Sequence, residues 1–168
     1  MTGRPAIVLA VVLACQPMVG IDATIVNIAL PEIQARLHFT QTGLAWVFNA
    51  YTLAFGGLLL LGGRAGDLLG RRRMFASGVL LFTAASLLGG LATHSWWLVA
   101  ARALQGVGGA MASPNVPSLI MSAYEDGPRR TRALGVFAAV SSASLALGLL
   151  AGGVHRRAER HRIVGRTP

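Results

Sequence analysis

The chain has 168 residues, of which 54% are hydrophobic and only 12% charged, about half the charged share of a soluble domain. A fold of this length has too little interior to bury so many apolar runs, which excludes an ordinary soluble core. The net charge of +9 is carried wholly by arginine, and the arginines fall between the apolar runs and at the C-terminus, which argues against nucleic acid as a partner.

Five apolar stretches, near 6–29, 42–63, 74–93, 97–122 and 133–153, are each long enough to cross a bilayer as a helix. Crossing the hydrocarbon core takes about 20 residues. The expected fold is therefore all-α and integral to the membrane, with about five spans in 1–154. In the first span, Arg4, Ala6–Ala14 and Cys15 resemble a secretory leader, but the apolar run continues to Ile21 and resumes over Ala23–Leu30. That is too long for a leader, so the segment reads as a span and Cys15 as a small residue facing lipid or another helix. One cysteine also excludes an internal disulfide or a cysteine-based metal cluster.

Asp22 is the only charge in 5–31. A carboxylate in hydrocarbon costs at least about 2.5 kcal/mol, so it turns to the bundle interior or takes a proton. Such a group suits proton coupling or attraction of a cationic substrate; alternatively, it lies near the outer interface and bonds Thr24 or Asn27. Pro17 removes a backbone donor in mid-helix, and Asn27 and Pro31 shape the outer end of the span. In the second span Trp46, Asn49 and Tyr51 either face a substrate path or pack.

The loop expected between the second and third spans reads Gly63-Arg64-Ala65-Gly66-Asp67-Leu68-Leu69-Gly70, then Arg71, Arg72 and Arg73. Gly66 and Gly70 permit a tight reversal and close backbone approach. Asp67 and Arg71 are spaced to pair if the stretch is helical. Arg71–Arg73 also anchor the loop inside the cell, yet anchoring alone does not require glycines and an aspartate at these intervals.

Trp96 and Trp97 begin the fourth span at an interfacial position. Arg102 is its only charge, and is either functional or snorkels to the outer surface. Gly106 with Ala110, and Ser144, Gly148 and Gly152 in the fifth span, form small-residue ladders that let helices approach closely. Pro114 and Pro117, beside Asn115, interrupt the fourth span.

Cytoplasmic loops are arginine-rich, which orients the chain. With the N-terminus inside, Arg4, Arg64, Arg71, Arg72, Arg73, Arg129, Arg130 and Arg132 all lie inside, against Arg36 alone outside. The tail breaks this order: His155–Pro168 carries Arg156, Arg157, Arg160, Arg162 and Arg166 where an outside segment is expected. Either the tail is native and the fifth span is re-entrant or uninserted, or the true frame ends near Val154 and residues 155–168 are a non-native, disordered product. The second reading is preferred.

The pattern of Gly63, Asp67, Gly70, Arg71 and Arg72 resembles the signature between helices two and three of the major facilitator superfamily, with Leu68 where arginine is usual. Asp22 through Pro31 resembles the first-helix motif of the 14-helix drug:proton antiporters. Ala101 through Ala110, with Arg102, Gln105 and Gly106, resembles their fourth-helix motif. Gly148 through Gly153 resembles their fifth-helix motif, although Leu149 replaces the usual proline. The resemblance covers 6–153 and implies a proton-coupled multidrug exporter working by alternating access. Asp22 and Arg102 would serve coupling or recognition, and Gly63–Arg73 would gate the cytoplasmic side. Arginine stays charged at any relevant pH, so Arg102 is not itself the proton carrier.

There is no lysine and no phosphate-binding Gly-x-x-x-x-Gly-Lys run, so ATP hydrolysis is not expected. His38, His94, His155 and His161 lack metal-ligand spacing, and no nucleophile–base set is present. Neither enzyme activity, a cofactor nor a metal is expected. The expected partners are the lipid bilayer of the cell membrane, protons, a cationic or lipophilic small molecule, and the missing C-terminal transporter half. Five spans fall short of one six-helix bundle, so the chain alone is expected to be inactive. A small membrane protein acting as a scaffold subunit is the alternative.

Overall fold

The computed structural model describes Asp22, Val26, Glu32, Gln34 and residues 40–143 apart from 125–126. Cys15, Pro17, Asn27, Pro31, the Ser144–Gly148–Gly152 ladder and the tail from His155 lie outside the described residues. Asp22, Val26, Glu32 and Gln34 are helical. Four helices follow, α1 (Gln41–Leu69), α2 (Arg71–Gly90), α3 (Ser95–Ala112) and α4 (Asn115–Ala123), and a fifth, α5, covers 128–143. Among the described residues there is no strand.

α1 opens on Thr40, whose Oγ1 accepts a hydrogen bond from the Gly43 amide at 3.1 Å, satisfying one of the free donors at a helix start. Its 29 residues span about 43 Å, more than the thickness of a hydrocarbon core, and Arg64 and Asp67 lie in its last two turns. The expected loop after the second span does not exist as such. The chain stays helical to Leu69, and Gly70 alone separates α1 from α2. Gly70 has φ +99°, a conformation that a side chain resists, and its amide closes α1 by donating to the Gly66 carbonyl at 3.1 Å.

The expected fourth span is likewise not one helix. It divides at Ser113–Pro114 into α3 and α4, because Pro114 has no amide to offer the Ala110 carbonyl. Pro117 causes no second break; it sits in the first turn of α4, where amides have no helical partner in any case. α2 ends at Gly90 and α3 begins at Ser95, so their connection runs 91–94; α5 starts at 128, before the expected 133.

α1 and α2 are the two described helices long and apolar enough to cross a membrane by themselves. α3 carries Arg102 and Gln105 among its apolar residues, and both of these are buried. α3 is the central helix, packed along α1 on one side and α2 on the other. Glycines set both crossings. A Cβ on Gly108 would lie 2.6 Å from the Phe82 nitrogen, and one on Gly106 would lie 2.5 Å from the Tyr51 carbonyl oxygen. Backbones this close gain dispersion where water supplies no drive for helices to associate. One apolar cluster joins Val47 and Leu98 with Val26; another joins Phe75, Val116, Ile120 and Ala133 at the opposite end. Large side chains such as Leu60, Leu80, Leu87 and Leu91 remain exposed, which suits lipid contact better than water.

Candidate functional site

Arg102 and Gln105 stand one turn apart on α3 and face the same way, as an i,i+3 pair must. Both are 3% exposed. The Arg102 guanidinium donates from Nη1 to Asp22 Oδ2 and to Gln105 Oε1, the latter at 2.9 Å. Gln105 Nε2 donates to Asp22 Oδ1 at 2.9 Å, so both carboxylate oxygens are engaged. Arg102 Nε reaches the Val47 carbonyl at 3.5 Å, and the Tyr51 ring lies 4.9 Å from the guanidinium carbon. Tyr51 in turn stacks on Phe55, with ring centroids 5.8 Å apart.

The alternative of Arg102 snorkelling to the surface is therefore excluded by its burial, and Asp22 is paired with Arg102 across 80 residues of sequence. A buried charge needs a partner and further hydrogen bonds to offset its lost hydration. Here a cation, a carboxylate, an amide and an aromatic face supply them. The Asp22 side chain is the more open member, at 16% against 4% for Arg102. The cluster thus holds a carboxylate against a guanidinium, with the Gln105 amide bonded to both.

The sequence points to Gln105 only within the motif around Arg102, and to Tyr51 only beside Trp46 and Asn49 as facing a substrate path or packing. The i,i+3 spacing of Gln105 from Arg102 is the signal for Gln105; Tyr51 carries none above Trp46 and Asn49. Trp46 and Asn49 are exposed.

At the far end of α1, Asp67 Oδ1 accepts from Arg71 Nη2 at 3.0 Å and from Nε at 3.2 Å. The pair links two helices across Gly70, and both side chains are about half exposed. Arg72 is exposed beside it. Gly63 is not a close-approach position, since an added Cβ would meet only Pro114 Cβ at 3.6 Å. Gly62 and Gly66 are: a Cβ on Gly62 would overlap the Ala110 carbonyl, and one on Gly66 would overlap the Asn115 amide. Pro114 breaks the fourth span, and Gly106 lies directly on the α1 backbone. Among the described residues, no group of three or more His, Cys, Asp or Glu could hold a metal ion.

An apolar helical bundle that seals an ion pair inside is an arrangement of polytopic membrane proteins, where such pairs mark ion or substrate paths. The chain belongs to the Major Facilitator Superfamily, which it matches over residues 12–155. It is 53% identical to the puromycin resistance protein pur8 of Streptomyces alboniger over 146 residues, 87% of this chain and 29% of that protein. It is 48% identical to the cephamycin export protein CmcT of Amycolatopsis lactamdurans over 147 residues, 86% of this chain and 30% of that protein. It is 36% identical to the multidrug resistance protein Stp of Mycobacterium tuberculosis over 137 residues, 82% of this chain and 26% of that protein. The chain thus spans about three-tenths of the length of the curated relatives it matches.

Proposed function

We propose that residues 1–154 form part of the N-terminal bundle of a proton-coupled drug exporter, multi-pass in the cell membrane with the N-terminus inside. The observation that carries this reading is the buried Asp22–Arg102–Gln105 cluster, in which one group can take a proton and the other stays charged. With Asp22 ionised, Arg102 is neutralised and α3 is tied to the first span. A proton on Asp22 removes that attraction and frees the guanidinium, so proton uptake changes how the helices hold together. The substrate is a small molecule of lipophilic or cationic character; the names of the puromycin and cephamycin relatives support a small-molecule drug as cargo.

The Asp67–Arg71 pair, Gly63, Gly70 and Arg72 belong to the cytoplasmic gate. Alternating access needs a second bundle to rock against the first. This chain by itself is accordingly inactive in transport, and the remaining transporter half is its partner. The family match runs to residue 155, and the basic segment His155–Pro168 is read as a tail to the transporter fold. The relatives' membership of a transporter family supports the absence of enzyme activity.

The test joins residues 1–154 to the C-terminal remainder of the puromycin resistance relative and reconstitutes the hybrid in liposomes. An imposed proton gradient is expected to drive puromycin flux in the hybrid and none in the chain alone. Asp22→Asn is expected to abolish the gradient-driven component. Undiminished gradient-driven flux in Asp22→Asn would refute the coupling role.

A further inference from the structure

The break between α3 and α4 leaves a buried amide that the transport cluster does not use. Asn115 is 2% exposed. Its Nδ2 donates to the Met111 carbonyl at 2.8 Å within its own segment, and to the Gly62 carbonyl of α1 at 3.4 Å. The same amide rests on Gly66, where any Cβ would overlap Oδ1, Cγ and Nδ2 together. Beside it, the Ala110 carbonyl, left without its helical donor by Pro114, stands against Gly62, where a Cβ would overlap it. Two glycines of α1, one turn apart, thus form a socket for the broken end of α3.

α3 and α4 therefore hold α1 at two backbone carbonyls, Val47 through Arg102 and Gly62 through Asn115. The two points are about 22 Å apart along α1, so together they fix its axial register as one contact alone would not. Asp67 lies one residue beyond Gly66, and its partner Arg71 begins the next helix.

We propose that Asn115 is a positioning residue: seated on Gly66 and bonded to Gly62, it sets the register of the Asp67-bearing end of α1 against the α3–α4 break. Its bearing on transport rests on the gating reading above, but the contact itself is measurable without transport.

The full chain in lipid nanodiscs supports the test, read by hydrogen exchange over residues 62–70 and by melting temperature. Asn115→Ser keeps a hydroxyl able to bond the Met111 carbonyl one turn back, but not the reach to Gly62. It is expected to melt closer to the parent than Asn115→Ala does. Its exchange over 62–70 is nonetheless expected to rise at least about fivefold, as it does in Asn115→Ala, while 44–55 stays protected. Gly66→Ala is expected to lower the melting temperature, and Asn115→Ala to relieve that loss when combined with it, because the clashing amide is gone. Parent-like exchange over 62–70 in Asn115→Ser overturns the proposal, since Asn115 then only caps its own helix. Additive melting losses in the Gly66→Ala/Asn115→Ala double variant overturn it as well. If Asn115→Ala does not fold, Asn115→Ser and Gly66→Ala still decide. If the hybrid transporter shows no gradient-driven flux, the exporter reading fails while these measurements still judge the socket.

Discussion

Removing Asp22 and removing Arg102 are unequal perturbations, and the inequality can be worked from the cluster. Asp22→Asn leaves a guanidinium that is 3% exposed and cannot lose its charge. Breaking a buried ion pair from one side costs about 3–5 kcal/mol. Gln105 Oε1 and the Tyr51 face remain to Arg102, so the lower end, about 3 kcal/mol, is expected. Arg102→Leu instead strands a carboxylate that is 16% exposed, still bonded to Gln105 and free to take a proton. That variant is expected to lose about 1–2 kcal/mol. The double variant removes both charges and is expected to lose little more than Arg102→Leu, because a buried pair is near break-even against apolar replacement. The coupling energy should be about 2–3 kcal/mol, measured by detergent-titrated unfolding of all four proteins in mixed micelles. Losses that add to within about 0.5 kcal/mol would mean that the two residues do not share one network.

Four further outcomes are expected. Gly106→Ala should cost about 1–3 kcal/mol in the same unfolding assay, since its Cβ meets the Tyr51 carbonyl at 2.5 Å and Ala54 Cβ at 2.9 Å. Gly57→Ala, with nothing within 4 Å, should stay within about 0.5 kcal/mol of the parent or gain slightly from helix propensity. Tyr51→Phe should keep the aromatic face over Arg102 and unfold like the parent, whereas Tyr51→Leu should lose about 1 kcal/mol beyond any packing change, read from a cycle with Arg102→Leu. Asp67→Asn should change stability by less than about 1 kcal/mol, because the pair with Arg71 is 45% and 50% exposed, yet should impair gradient-driven flux in the hybrid transporter.

Much of the site was legible because its signals are local. Asp22 and Arg102 stand out as single charges in apolar runs, and Gly63, Asp67, Gly70 and Arg71 form a pattern within nine residues. The pairing of Asp67 with Arg71 followed from spacing, although the intervening Gly70 makes it a link between two helices. Asn115 was visible only as a polar neighbour of Pro114, and Gly62 not at all, because neither carries meaning without the helix that faces it.

What the sequence by itself determined is the helical, apolar character of the chain and the positions of its rare charges. Hydropathy and short-range spacing are properties of neighbouring residues and survive any arrangement of the helices. Only the tertiary structure decided which charges meet, since Asp22 and Arg102 are joined across 80 residues by the packing of one helix on another. It also decided that the fourth span breaks at Pro114 and not at Pro117, and which glycines matter. Close approach depends on the surface opposite each glycine, and that surface belongs to a different part of the chain.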